Sequence, residues 1–477
     1  MKRILNLFLI VLFVSISISA QQRQNNAAAN QNEILIRNAT ILTAAKGRLE
    51  GTDILIRGGR IAQIGKNLRA GANAQTIDAT GKFITPGIVD AHSHAGVDGS
   101  VNEGSLSVTS MTRVQDVINP NDINLYRALA GGVTALNVLH GSANSIGGQN
   151  ATIKLKWGRP AIDYLIADAP PGIKFALGEN PKRSHSVLLP GQTRRYPATR
   201  MGVEETIRDA FVRARDYKAD WDEYREKSKR DKNLTAPRRD IELEPLVEIL
   251  EGKRLVHSHG YRSDEFLVLL NLADEFGFKV RTLQHGLEAY KIAPEIARHG
   301  AAASIFVDNW GYKIEAFDAI PYNAAILYRN GVSVSINSDS NERHRRLNLE
   351  AAKTMKYGDV PEEEALKMIT LNPAVQLGIG NRTGSIEEKK DADLVIWTAH
   401  PFSPYARVER TMVEGETYFD RQRDLQNRTA MERERQELER DEANRPSTSP
   451  RATQPAVPRE REKADLDDAD DVDGGNN

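Results

Sequence analysis

Residues 83–96 read FITPGIVDAHSHAG, and this stretch decides the fold. Gly87 to Ala91 has the apolar texture of a buried strand, and the strand ends in polar residues at His92-Ser93-His94. Residues i and i+2 of a strand share a face, so the two imidazoles project together. An α/β barrel places its chemistry at the C-terminal ends of its strands. The same texture recurs along the chain. RLVHSHG (254–260), KVRTLQHG (279–286), AAASIFVD (301–308) and VSVSINSDS (332–340) read as strands. DEFLVLLNLADEFG (264–277), IAPEIARHG (292–300) and NAAILYRNG (323–331) read as the helices between them. Strand–helix alternation at this spacing implies parallel βαβ units. Eight such units close into a (β/α)8 TIM-type barrel, and a doubly wound open sheet is the competing architecture.

Outside this region the texture changes. ILIRNATILT, DILIRGGRIAQIG and TIDATGKFITPG, between residues 34 and 87, alternate β-branched and polar residues around Gly-containing turns. GSIEEKKDADLVIW and VERTMVEGETYF return to that pattern at 384–419. The expected organisation is a small β-sandwich made from 33–85 and 379–420, enclosing a barrel at 86–378. Ahead of it, Lys2 and Arg3 precede a mostly apolar run from Ile4 to Val14, followed by small residues up to Ala20. This reads as a signal peptide over 1–20, with a Gln/Asn/Ala-rich linker at 21–32. The run is shorter than the about 20 residues a bilayer span needs. No stable membrane span is expected after its removal, and a periplasmic or secreted location is. Residues 421–477 read as a charged, disordered tail whose first part could be a solvated helix.

Composition narrows the chemistry. The 477 residues carry a formal net charge of −1, which argues against a nucleic-acid partner. There is no cysteine, so disulfides, thiolate zinc sites and cysteine nucleophiles are excluded. Any transition metal must be held by His, Asp, Glu or a modified Lys. Five of the ten histidines (His92, His94, His257, His259 and His285) fall at strand C-termini, and Asp339 ends another strand. Buried imidazoles lose solvation and need partners, so this clustering points to a metal. His185, His299 and His400 read as solvent-facing.

FITPGIVDAHSHAG resembles the start of the barrel in the amidohydrolase superfamily, and NPAVQLGI followed by GSIEEKKDADLVIW resembles its C-terminal signature. GIKFALGENPKR, the QHG strand and SDSNERHRRLNLEAA look like its imidazolonepropionase-like branch. The resemblance runs from about residue 34 to 420. It implies divalent metal, zinc with two ions per chain, held by His92, His94, His259, His285 and Asp339. Spacing favours His259 over His257 on their strand. The bridging position falls to Glu179, with a carboxylated Lys174 as the alternative. Asp339 would also shuttle the proton in hydrolysis of a carbon–nitrogen bond, an amide or cyclic amide. A dipeptidase or ester hydrolase on the same site, and a non-catalytic binding protein, are the rival readings. His140 and Gln149 on the Gly-rich loop, with Tyr261 and Arg262, are the candidate substrate contacts. Arg343 and His344 lie close enough to Asp339 to reach the same pocket. A small-molecule substrate is the expected partner, and a homo-oligomer stays open.

Overall fold

The computed structural model describes residues 33–182 and 195–444. The expected signal peptide and linker, His185, and the tail beyond Asn444 lie outside the described residues. The chain begins with β1 (Ile34–Leu42), β2 (Arg48–Arg57), β3 (Arg60–Gly65), β4 (Gln75–Asp78) and β5 (Phe83–Pro86). Nine strands follow: β6 (Ile88–Ser93), β7 (Val133–Val138), β8 (Ile146–Gln149), β9 (Ala151–Lys154), β10 (Gly172–Ala176), β11 (Leu255–Gly260), β12 (Val280–His285), β13 (Ala302–Ile305) and β14 (Val334–Ile336). The last three are β15 (Leu394–Trp397), β16 (Val408–Val413) and β17 (Glu416–Asp420).

Strands β10 to β14 pair in sequence order, all parallel, and β8 joins the free edge of β10 antiparallel. Strands β6 and β7 are parallel, with β9 antiparallel on β7. β6, β7, β10 and β14 are buried along their whole lengths, as parallel strands covered on both faces must be. The two sheets meet where β14 ends beside β6: the Asp339 N–H donates to His92 O at 3.1 Å, and Ser338 donates from both N–H and Oγ to the Asp90 carboxylate. The described residues form two abutting ladders, without one continuous closed ring of paired strands.

The connecting helices follow from local sequence. Helix Ser263–Phe276 starts after Arg262, carries Asp264 and Glu265 in its first turn, where the helix dipole favours anions, and stops at Gly277 with φ +77°. Phe266, Leu269, Leu270 and Ala273 recur at helical spacing and are buried.

The terminal strands form one mixed eight-stranded sheet, and their pairing does not divide it into the two facing sheets of a sandwich. Its two ends of sequence meet where β15 pairs antiparallel with β5, Val395 opposite Thr85. The period of 2 in LVIW makes β15 two-faced. Leu394 and Ile396 join the small sheet's own core, with Ile36, Ile54, Ile84 and Met412; Val395 and Trp397 join the main core. Residues 421–444, where the sequence allowed a solvated helix at the start of the tail, form a helix, tied at its first turn by Tyr126 Oη donating to Asp424 at 3.0 Å. No helix among the described residues is long and apolar enough to cross a membrane.

Candidate metal centre

His92 and His94 emerge together from the end of β6, as their i, i+2 spacing requires. Each ring is aimed through its far nitrogen. His94 Nδ1 lies 2.9 Å from Leu139 O, a carbonyl that only accepts, so Nδ1 carries the proton and Nε2 offers a lone pair. His92 Nδ1 lies 3.2 Å from Gln284 Oε1, which orients it the same way. Both Nε2 atoms face one carboxylate oxygen, Asp339 Oδ1, at 3.4 Å from His92 and 3.3 Å from His94. The candidate ligand atoms of His92, His94 and Asp339 lie within 4.8 Å of one another.

Strands β11 and β12 bring two more imidazoles. The His285 ring lies 4.5 Å from His92 and 4.8 Å from His259, centroid to centroid, and its Nε2 is 3.7 Å from Asp339 Oδ2. Neither nitrogen of His259 or His285 has a hydrogen-bond partner among the described residues, although both rings are fully buried. Each ring thus keeps a lone pair with no protein donor, and a cation is the group that would satisfy one nitrogen of each. Burial pushes the His285 imidazole down to about 3 and holds His92 and His259 well below their ordinary value, so all three rings are neutral, the form that ligates metal. The Asp339 carboxyl is held below its ordinary value against the effect of burial.

The backbone is bent to make this arrangement. His285 has φ +68° and Asp339 φ +42°, a region non-glycine residues avoid at a cost of order 1 kcal/mol. Neighbours in a regular strand point to opposite faces, yet Gln284 and His285 both reach His92, and Ser338 and Asp339 both reach β6.

Of the two candidates for the bridging position, it is Lys174 that lies beside His92. Its buried Nζ is 3.2 Å from His92 Nε2 and 3.4 Å from His140 O. Glu179, the expected bridging residue, sits further along the same segment at the rim, with Oε1 3.7 Å from Lys313 Nζ and its N–H donating to Glu315 at 2.7 Å. Lys174 lies on β10 opposite His257, and Ala176 opposite His259, so the strand turns its lysine inward before Glu179 is reached. His257 is fully buried one step deeper, and it is His259 whose ring packs on His285.

A solved structure of the amidohydrolase from Thermotoga maritima MSB8 is 34% identical, covers 81% of this chain and 100% of its own, and superposes with a TM-score of 0.74. The chain belongs to the amidohydrolase family. The pattern described as Amidohydrolase family matches residues 322–418 of this family member. Amidohydrolase tasK of Hapsidospora irregularis is 33% identical over 402 residues, which are 77% of this chain but 40% of the relative's length. The imidazolonepropionase of Thermoplasma volcanium is 31% identical over 153 residues, 30% of this chain and 37% of that protein. The chain thus spans well under half of the curated relatives it matches.

In this amidohydrolase-family chain the expected substrate contacts are placed unevenly. Tyr261 is buried against the centre, its ring 4.9 Å from His259 and 5.5 Å from His285. Arg262 instead holds Asp264 through two bonds of 3.0 Å and is 42% exposed. His140 spends both ring nitrogens on loop backbone, Nδ1 to Gly141 O at 2.9 Å and Nε2 accepting from the Glu103 N–H at 2.8 Å. Gln149 donates to Ser110 O at 2.9 Å. All three side chains are thus engaged with protein groups nearby. His344 is buried on the turn Arg343–Arg346, against helix Ile123–Ala130. His299, expected at the surface, is 8% exposed and accepts from the Val280 N–H at 3.1 Å. His400 is partly exposed, 3.2 Å from Glu362.

Two residues of the centre escaped the sequence reading. Asp90 is fully buried and receives the Ser338 and His92 N–H groups; burial pushes its carboxyl up to about 7. It shares a face with His92 by the i, i+2 rule, which is the signal that could have found it. Gln284 had none, because its reach depends on the His285 backbone. A cavity of about 950 Å³ lies elsewhere, between the small sheet and the last helix, among Glu33, Arg159, Arg410 and Glu414. It contains no histidine, so the convergence of ligand atoms, and not volume, marks the site.

Proposed function

We propose that the chain is an exported, metal-dependent hydrolase of a carbon–nitrogen bond in an amide or cyclic amide, within the imidazolonepropionase-like branch. The observation that carries this reading is the Asp339 carboxylate, held among His92, His94 and His285 at 3.4, 3.3 and 3.7 Å, with buried imidazole nitrogens left without partners beside it. His92, His94 and Asp339 would hold one ion. His259, His285 and Lys174, the last as its carbamate, would hold a second, because an ammonium cannot ligate metal. The donor set of imidazole and carboxylate suits zinc. When bound, the metal supplies Lewis acidity and brings the pKa of water toward neutrality.

The chain's own residues do the rest. Asp339 accepts the proton of the attacking water and delivers it to the leaving nitrogen as the C–N bond breaks. Gln284 and Leu139 O fix the two β6 imidazoles, and Asp90 fixes the β14 end through Ser338, so Asp339 meets the substrate without reorganisation. The two abutting ladders are read as a (β/α)8-type barrel with an interrupted ladder, supported by strand ends that converge as barrel strands do. Export is supported by the leader-like sequence over residues 1–20.

The test is metal analysis with a panel of hydantoins, dipeptides and aryl esters. Two zinc ions per chain and hydrolysis of a cyclic amide, abolished by chelation and restored by zinc, are expected. Preference for dipeptides or esters would move the substrate class; two bound metals with no hydrolysis would make this a binding protein. Bicarbonate labelled with ¹³C should give a carbamate resonance that is absent in Lys174→Arg; its absence from the parent protein would return that ligand's role to Glu179.

A further inference from the structure

Glu315 is buried between neighbours that are not. On the turn Ile314–Ala316 it is 3% exposed, while Ile314 and Phe317 are 89% and 77% exposed. A carboxylate inside, with apolar residues outside, reverses the usual order and needs partners to hold it there. Arg200 Nη2 donates to Glu315 Oε1 at 2.6 Å, and Arg200 Nε donates to Glu265 Oε1. Glu265 lies in the first turn of helix Ser263–Phe276 and is buried as well.

One guanidinium thus answers two buried carboxylates. Their other oxygens, Glu265 Oε2 and Glu315 Oε2, are buried without a hydrogen-bond partner among the described residues. The two carboxylates crowd over Gly178, whose φ is +82°. A Cβ there would lie 2.9 and 3.0 Å from the Glu315 oxygens and 3.1 Å from Glu265 Oε2, so the glycine leaves the room in which they meet. Two like charges confined this closely with one counter-charge do not both ionise in the ordinary carboxylate range. Burial, with Glu315 and Asp264 adding to it against Arg200, pushes the Glu265 carboxyl up to about 7, and burial raises Glu315 too. The other charged groups around the pair are engaged elsewhere. Glu204 meets Arg208 at 3.0 Å and Arg262 holds Asp264. Glu179, at the end of β10, adds negative charge, and Lys313 stands 4.4 Å over the Tyr261 ring.

The pair fastens the loop between β13 and helix Asn323–Arg329. That loop brings the Tyr312 ring to 6.1 Å from Tyr261, beside the candidate metal centre. Another polar anchor of the loop is Asp318, paired with Lys291 at 2.5 Å. We propose that Glu265 and Glu315 hold one proton between them and, with Arg200, form a pH-sensitive latch that keeps this loop down. Loss of the proton sets two negative charges against one positive and loosens the loop. The latch is independent of the hydrolase reading. Opening returns both carboxylates to water and to their ordinary value of 4.5, so the closed latch is the form that binds the extra proton. Closure is therefore favoured at low pH and weakens as pH rises from 4.5 to about 7.

The test is amide hydrogen exchange of the zinc-loaded protein, followed over residues 306–322 and corrected for the intrinsic rate. The opening equilibrium should rise at least about tenfold between about pH 5.5 and about pH 7.5. Glu265→Gln should remove the rise, because an amide can donate to Glu315 and accept from Arg200 without titrating. Glu315→Gln should do the same, since the proton belongs to the pair, and it decides alone where the first variant does not fold. Asp318→Asn should speed exchange at both ends of the window and keep the rise. A parent protein without the rise, or a rise of the same size in either Gln variant, would overturn the latch.

Discussion

Two buried polar clusters of this chain are built on opposite terms. Around Lys154, at the junction of β9 with the small sheet, Nζ meets Asp391 at 2.7 Å, Asp393 at 3.0 Å and Glu414 at 3.1 Å. Arg382 and Lys156 add pairs to Asp391 and Glu414 at 2.9 Å each. Thr383 Oγ1 and the Glu414 N–H complete Asp393. Three cations answer three carboxylates, and the cluster needs nothing from outside. Around Asp339, buried imidazole nitrogens have no hydrogen-bond partner among the described residues. A complete cluster fastens two parts of a fold. An incomplete one marks where a ligand supplies what the protein withholds.

The sharpest way to break this contrast is Asp339→Asn. It removes the proton carrier and leaves the other ligands, so turnover should fall by about three to four orders of magnitude while metal content is retained. Full activity with metal bound would remove Asp339 from the mechanism.

Lys154→Met should act in the other way. Stranding Asp391 and Asp393 in the interior should cost about 3–5 kcal/mol in urea unfolding, with zinc stoichiometry unchanged in the folded fraction. An unaltered midpoint would mean that the cluster is not holding the small sheet to the strand β9.

Acid should separate the clusters by pH window. Burial, with Arg281 and Lys174 adding to it, pushes His257 down to about 3 from an ordinary value of 6.5. Between those values the unfolded chain binds a proton the folded one refuses, so stability of the metal-free protein should fall as pH drops below 6.5. The slope from this ring is about 1.4 kcal/mol per pH unit, and His257→Gln should flatten it. Glu414 is held at about 2, Lys154 prevailing over burial, against an ordinary 4.5. Its contribution is present above pH 4.5 and lost only as pH falls from there toward 2. Equal losses in both windows before and after His257→Gln would refute the assignment.

The smallest effect is expected at Arg262. Its exposed pair with Asp264 is worth at most about 1 kcal/mol, and Arg262→Ala should leave substrate affinity within about twofold. A large rise in KM would restore the substrate role that the sequence suggested.

Much of the centre was legible because strand geometry is local. The i, i+2 spacing of His92 and His94 forces them onto one face, and the recurrence of His259, His285 and Asp339 at strand ends follows from βαβ alternation. The choice between Lys174 and Glu179 was not legible. Both lie on one segment, and only the pairing of β10 with β11 shows that Lys174 faces inward while Glu179 has passed the rim. His140 and Arg262 were read as substrate contacts because their positions follow strands. Each has a partner within two residues, or on a loop distant in sequence, and short-range spacing cannot reveal whether a polar group is already satisfied.

By itself the sequence determined the alternation of strands and helices, the absence of thiol chemistry and which residue types could hold a cation, since those depend on side-chain chemistry and on backbone periods of 2 and 3.6. Tertiary structure alone decided which buried groups are completed by the protein and which are not. That depends on distances between segments far apart in the chain, and on a few backbone angles, at His285 and Asp339, that no period predicts.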